Sequence, residues 1–238
     1  MIFPKERSSS GIGRALAEVY LSQPNYIVIC GDYEPATGTK LLLVEIEATS
    51  DCCPSMAAEA MRKAGVSSLD ILIANAGINP SKAFAPVANI PIDDVRLIFN
   101  VNAFSFITLF TAMFPFLEAA AAKGKSGSPP KLLVVSSNAA SIQQPLPAPI
   151  STYGASKRVL NYWVRHIHLE NPWPTAWAMN PGFVQADTGY EGARALGIEK
   201  PLHTVTESVA GLLSKLDSAT REETSGNFYD FDGVALDF

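Results

Sequence analysis

Residues 131–157 read KLLVVSSNAASIQQPLPAPISTYGASK. A β-rich apolar run (Lys131–Ser136) is followed by a second serine, a proline-rich loop and Tyr153-Gly154-Ala155-Ser156-Lys157 at the opening of a helical pattern. An uninterrupted apolar run of this length suits a strand buried on both faces. Working outward, similar runs lie at Tyr26–Cys30, Lys40–Ile46, Leu69–Ala74, Thr175–Met179 and Gly226–Phe231. Helical spacing of apolar positions fills Gly13–Leu21, Ser55–Lys63, Ile92–Ala122, Thr152–Leu169 and Val205–Leu216. The alternation predicts an α/β fold, a doubly wound parallel sheet flanked by helices.

The chain has 238 residues, of which 47% are hydrophobic and 17% charged. That length is expected to form one domain over residues 1–238, large enough to bury a core without disulfide or metal staples. A net charge of −5 gives no basic face for a phosphate backbone, so nucleic acid is not an expected partner. The longest apolar stretch, Ala103–Leu117, is interrupted by Ser105, Thr108, Thr111 and Pro115 and falls short of a bilayer span. Cys30, Cys52 and Cys53 have neither a paired pattern nor metal-ligand spacing. With charges in MIFPKER where an apolar signal core would lie, these features predict a soluble cytoplasmic protein and no membrane partner. The segment 185–203, with Gly189, Gly192 and Gly197 and weak periodicity, reads as a mobile lid or as a surface loop with a short helix.

Tyr153 and Lys157 stand one helical turn apart, which puts a phenol and an ammonium on one face. A neighbouring cation favours the phenolate, so Tyr153 is a candidate general acid or base. Other polar groups fall at strand ends, where doubly wound sheets place ligand sites. These are Ser136 and Ser137, Asn75-Ala76-Gly77, and Asn180-Pro181-Gly182-Phe183-Val184. Asn102 lies within a long helical pattern, in FNVNAF.

This ordered set resembles the short-chain dehydrogenase/reductase family, with its Rossmann-like fold. The motifs stand as Gly11-Ile12-Gly13, Asn75-Ala76-Gly77, Val101-Asn102, Ser137, Tyr153 with Lys157, and Pro181-Gly182. Flanking sequence is most similar to fungal ketoreductases of aromatic polyketide pathways. The resemblance implies that Tyr153 donates a proton to a substrate carbonyl while a nicotinamide delivers hydride. Lys157 would lower the phenol's pKa and hold the nicotinamide ribose, and Ser137, with Ser136 as the alternative, would bind the carbonyl oxygen. Asn102 would seat a water. Ser10, Gly11, Ile12 and Gly13 would form the phosphate turn, and Asn75, Ala76, Gly77, Pro181, Gly182 and Val184 would line the rest of the cofactor site. Glu47 falls where the family places an adenine-contacting acid. Family members pair through helices matching Ile92–Ala122 and Thr152–Leu169, which implies a homodimer or homotetramer.

The cofactor half departs from the family pattern. Arg7 stands where the first glycine of the turn belongs and Glu6 where its threonine belongs, and Pro4 cannot donate to the ladder of a central strand. Ala186 replaces a threonine whose hydroxyl contacts the nicotinamide carboxamide. These changes predict dinucleotide binding that is weakened or lost. Asp32, nineteen positions beyond Gly13, has the spacing of an acid that bonds the adenosine ribose and repels a 2′-phosphate, which favours NAD(H) over NADP(H). Arg7 and Arg14 are the competing 2′-phosphate partners. The leading reading is reduction of a ketone or quinone-like carbonyl on a small hydrophobic substrate. The alternatives are a non-redox dehydratase, isomerase or cyclase using the same Ser/Tyr/Lys site, and a catalytically silent binding protein. No metal is expected: His166 and His168 face different sides of a helix and His203 is remote from them.

Overall fold

The structure is a computed structural model that describes residues 11–24, 26–29, 40–42, 44, 46–123 and 129–238. Pro4, Glu6, Arg7 and Ser10, and the segment 30–39 with Cys30 and Asp32, lie outside the described residues. In chain order the elements are α1 (Gly11–Leu21), β1 (Ile27–Ile29), β2 (Lys40–Leu42), α2 (Cys53–Lys63), β3 (Ile71–Ala74) and α3 (Ile92–Phe99). A π-helical turn (Asn100–Phe104) leads into α4 (Ser105–Lys123), followed by β4 (Lys131–Val135), α5 (Ser151–Glu170) and β5 (Thr175–Asn180). The chain then forms α6 (Asp187–Leu196), α7 (Val205–Ser218), β6 (Phe228–Asp230) and β7 (Ala235–Leu236).

β3, β4, β5 and β6 are parallel neighbours, and β7 closes the edge antiparallel to β6. β1 and β2 form a second parallel pair, with Val28 opposite Leu41. The register places Leu133 between Ile73 and Trp177. Alternate residues of a strand point to opposite faces, and the core divides accordingly. Leu133, Ile73, Trp177, Met179 and Tyr229 pack under α1 and α7 with Leu16, Leu21, Leu212 and Leu216. Leu132, Val134, Ala176, Ala178 and Phe228 face the other way, against α2, α4 and α5 through Met61, Phe106, Met113, Leu160 and Val164. Burial on both faces explains why the strand sequences read as continuous apolar runs.

Two segments carry detail that apolar spacing does not show. The pattern Ile92–Ala122 is helical throughout but changes its winding at Asn100–Phe104, and this sets buried Asn102 into the interior. Ile92–Lys123 is long and apolar enough by length and composition to cross a membrane, yet its apolar face, including Leu109, Met113 and Leu117, is buried in the core. Within 185–203 the structure holds a ten-residue helix, α6, which ends on Gly197 in the left-handed region (φ 67°). Both stems of this segment are tied together: Val184 bridges His203 in parallel, His203 N–H donates to Phe183 O at 2.9 Å, and Gln185 N–H donates to His203 O at 2.8 Å.

At the opposite edge of the sheet, Arg221 pins the end of α5 to the start of β5. Its guanidinium donates to Pro174 O at 2.7 Å and His168 O at 2.9 Å, and lies 3.2 Å from His168 Nδ1. Burial, and then the charges of Arg221 and Arg165, hold the His168 pKa below its ordinary 6.5. The unfolded chain therefore takes up a proton that the folded chain resists. Stability is full above about pH 6.5 and is lost as pH falls toward the depressed folded value. Urea midpoints measured between about pH 7.5 and pH 5.5 should fall for the wild type and fall less for His168→Gln; equal slopes would refute this account.

Candidate active site

Helix α5 approaches the end of β4 with no room to spare. A Cβ on Gly154 would lie 2.4 Å from Ala139 O, so only a glycine lets the first turn of the helix seat there. One turn on, Lys157 is 2% exposed and its Nζ donates to Val135 O at 2.9 Å. A buried ammonium needs such partners, because desolvation otherwise costs several kcal/mol. Lys157 Nζ lies 5.8 Å from the centroid of the Tyr153 ring, on the same helical face. Gly77, at the end of β3, leaves space for it: a Cβ there would lie 2.9 Å from Nζ.

Asn102 sits behind this pair with its amide committed. Nδ2 donates to Ile78 O (2.9 Å) and Ser156 Oγ (3.0 Å), while Oδ1 accepts from Ile78 N (2.7 Å). Ser156 Oγ in turn donates to Tyr153 O at 2.7 Å. The π-helical turn thereby joins the β3 terminus to the first turn of α5.

The two serines after β4 separate by partner. Ser136 is buried and its hydroxyl donates to Asn161 Oδ1 at 2.6 Å. Ser137 faces the cleft; its Oγ accepts from Ala139 N at 3.2 Å and its O–H makes a long contact with Asn138 Oδ1 at 3.5 Å, which a ligand oxygen could replace. The next residue is clamped from the far strands. Asn138 N donates to Asn180 Oδ1 (3.1 Å), and Asn180 Nδ2 donates to Asp230 Oδ1 (2.8 Å), which also accepts from Phe231 N (2.9 Å).

A cleft of about 390 Å³ opens at the carboxyl ends of β3, β4 and β5. Ser137, Tyr153 and Lys157 line it, with Asn75 and Gly77 from the β3 end, Pro181, Gly182 and Val184 from the β5 end, and Gly11 and Ile12 from the start of α1. Gly13 is buried within α1. Ala76 and Asn102 line a separate cavity of about 20 Å³ behind the cleft. The Glu47 carboxylate accepts from Thr49 N and Thr49 Oγ1, both at 2.9 Å, and so closes a local turn. Ala186 stands against Gly11, 3.1 Å from where a Cβ on that glycine would be. Ser10 and Asp32 lie outside the described residues.

Sequence reasoning did not single out Phe84, Phe183, Leu196 and Ile198, which supply much of the apolar wall. Phe183 lies inside the MNPGFV motif, but Phe84 follows a 3-10 turn (Ser81–Ala83) that no periodicity announces. Asn180 and Asn138 were also missed as a pair, because a clamp between strand ends leaves no spacing in sequence. The histidines have other partners: His166 Nδ1 lies 3.3 Å from Glu170 and His203 packs on the Phe231 ring at 4.6 Å. Among the described residues no group of three His, Cys, Asp or Glu is placed to hold a metal.

A short chain dehydrogenase family model matches residues 8–194. Norsolorinic acid ketoreductase nor1 of Dothistroma septosporum is 33% identical over 237 residues, covering 93% of this chain and 86% of that one. Short-chain dehydrogenase RED3 of Pyricularia oryzae is 35% identical, covering 96% and 95%. Norsolorinic acid ketoreductase of Aspergillus parasiticus is 32% identical, covering 93% and 84%. Among solved structures, an NADPH-bound carbonyl reductase from chicken fatty liver superposes with a TM-score of 0.80 at 25% identity, over 98% of this chain and 96% of that one.

The clamp on Asn138 has a measurable strength. Asn180→Ala removes the acceptor of one backbone N–H and the donor to one carboxylate, which should cost about 1–3 kcal/mol in chemical denaturation. An unchanged midpoint would show that the clamp is not stabilising.

Proposed function

The chain belongs to the short-chain dehydrogenase family, and we propose that it is a ketoreductase of secondary metabolism that uses a nicotinamide cofactor to reduce a ketone or quinone-like carbonyl. The observation that carries this reading is the grouping of the Ser137 hydroxyl, the Tyr153 phenol and the buried Lys157 ammonium on one cleft. The ketoreductase relatives, matched over 84–86% of their length, support the same chemistry.

The residues present fit a nicotinamide dinucleotide at its ring and ribose end. Gly11, with φ 58°, opens α1 onto the cleft, and a Cβ at Gly77 would fill the space beside Lys157. A helix start that presents backbone N–H groups suits a pyrophosphate. Gly11–Gly13 would hold the phosphates with Ser10, and Asn75–Gly77 with Pro181, Gly182 and Val184 would line the nicotinamide end. When bound, the cofactor supplies a hydride.

The chain's own groups handle the oxygen. Tyr153 gives its phenolic proton to the carbonyl oxygen, and Ser137 donates a hydrogen bond to the same atom while Ala139 N–H occupies its lone pair. Lys157 holds a positive charge beside the phenol and favours the phenolate left behind. Asn102 fixes the register of the first turn of α5 through Ser156.

NAD(H) is the preferred dinucleotide in this reading. Asp32 has the ribose-binding spacing, and Arg14, a competing 2′-phosphate partner, pairs with Glu18 at 2.8 Å. We further propose one domain over residues 1–238 with 185–203 as the substrate lid, a soluble cytoplasmic enzyme, and a homodimer or homotetramer. Exposed Phe104, Tyr162 and Leu169 on the helical segments matching the family's pairing helices support the oligomer.

Calorimetric titration with NADH and NADPH tests the cofactor: tighter binding of NADH is expected, and no binding of either at millimolar concentration would defeat the reductase reading. Tyr153→Phe should lower turnover of an aryl ketone by about 10²–10⁴-fold with the fold intact. Unchanged turnover would remove Tyr153 from the proton-donor role.

A further inference from the structure

Among the described residues, Asn79, Asn102, Asn161 and Asn180 are the buried asparagines. Three of them hold a neighbour by a side-chain hydrogen bond: Asn102 on Ile78, Asn161 on Ser136, and Asn180 on Asn138 and Asp230. Asn79 differs. It is 9% exposed and lines the cleft, and its side-chain amide has no hydrogen-bond partner among the described residues. Phe84, Phe183, Leu196 and Ile198 make the same cleft largely apolar, so the amide stands out chemically from the wall it belongs to.

The chain fixes Asn79 from both sides. Before it, both peptide groups of Ile78 are bound by the Asn102 amide, N–H at 2.7 Å and C=O at 2.9 Å. After it comes Pro80 (φ −64°, ψ 142°), whose ring steers the preceding residue away from the helical region. Pro80 opens the 3-10 turn Ser81–Ala83, and Lys82 of that turn pairs at 2.8 Å with the buried carboxylate of Asp94 on α3. A buried amide without a partner carries a desolvation cost that nothing in the fold repays. Its partner therefore has to come from the cleft side.

We propose that Asn79 is a specificity-determining residue whose amide binds a hydroxyl of the substrate distinct from the carbonyl that is reduced. The inference rests on the ketoreductase reading and deepens it at the same site. The reacting oxygen is served by Ser137 after β4 and Tyr153 on α5, whereas Asn79 comes from the loop after β3 and addresses another part of the ligand. An amide offers N–H donors and a carbonyl acceptor, and a hydroxyl, which both donates and accepts, matches it. Because Asn79 is already held in place, pairing orders little that was free. A ligand that lacks the hydroxyl leaves the amide buried and unpaired, and a site of this kind rejects such analogues more strongly than an apolar pocket rejects a change of size.

The test compares α-tetralone with a set of its ring-hydroxylated isomers, which present one added hydroxyl at different distances from the carbonyl. Each reduction passes one hydride and one proton to the carbonyl and gives the alcohol and the oxidised dinucleotide. Wild type, Asn79→Leu and Asn79→Ala are assayed for kcat/KM on each ketone, for ketone binding by equilibrium dialysis, and for urea midpoint. The wild type is expected to favour at least one hydroxylated isomer over the parent by about tenfold or more, and both variants to lose that preference while still reducing the parent. Asn79→Leu breaks no bond within the protein, so its urea midpoint should be unchanged or higher, which a structural asparagine would not allow. No preference for any hydroxylated isomer in the wild type, or a preference that survives in both variants, overturns the assignment. A lowered midpoint in Asn79→Leu with all the ketones slowed equally also overturns it. If the wild type reduces none of the ketones but binds a hydroxylated isomer more tightly than the parent, and both variants lose that advantage, the assignment of Asn79 stands and the ketoreductase reading falls.

Discussion

The contact between helix α5 and the end of β4 governs everything around the cleft. It is made of one absent atom and two buried polar bonds: the missing Cβ of Gly154 against Ala139 O, the Lys157 ammonium on Val135 O, and the Ser136 hydroxyl on Asn161. Each bond is costly to lose, because a buried donor left without its acceptor keeps its full desolvation penalty. A side chain at position 154 would lift the first turn of the helix, and Tyr153, Ser156 and Lys157 would all move with it. The direction of the phenol therefore depends on this backbone contact.

The core makes that contact possible. β4 lies between β3 and β5 and is covered on both faces, Leu133 by α1 and α7, Leu132 and Val134 by α2, α4 and α5. Each such leucine contributes roughly 1.5–3 kcal/mol on burial, enough to hold the strand end while polar residues crowd its carboxyl edge. From there Asn180 and Asp230 extend the hold across β5 and β6, so the turn that aims Ser137 is fixed from both sides.

Much of this was legible in the sequence. Tyr153, Lys157, Ser137, Asn75 and Gly77 were assigned to one site from motif order, and the structure puts them on one cleft. The long helix is legible in its apolar spacing, but its change of winding at Asn100–Phe104 is not, since that spacing continues through it. Helix α6 was harder to see because Gly189 and Gly192 lower helix propensity. At Gly189 the reason is close packing, since a Cβ there would overlap Val184 O. Phe84 was invisible for a related reason. It reaches the cleft wall from a turn held by the Lys82–Asp94 ion pair, which leaves no local pattern.

The bridge between Val184 and His203 has a meaning beyond the geometry of the cleft. Because both stems meet on one pair of residues, the intervening chain closes on itself, and the entropy of that closure changes only slowly with its length. Residues 185–203 thus form an excursion from the sheet that is closed at its base, so a change in its length would cost the fold little loop entropy.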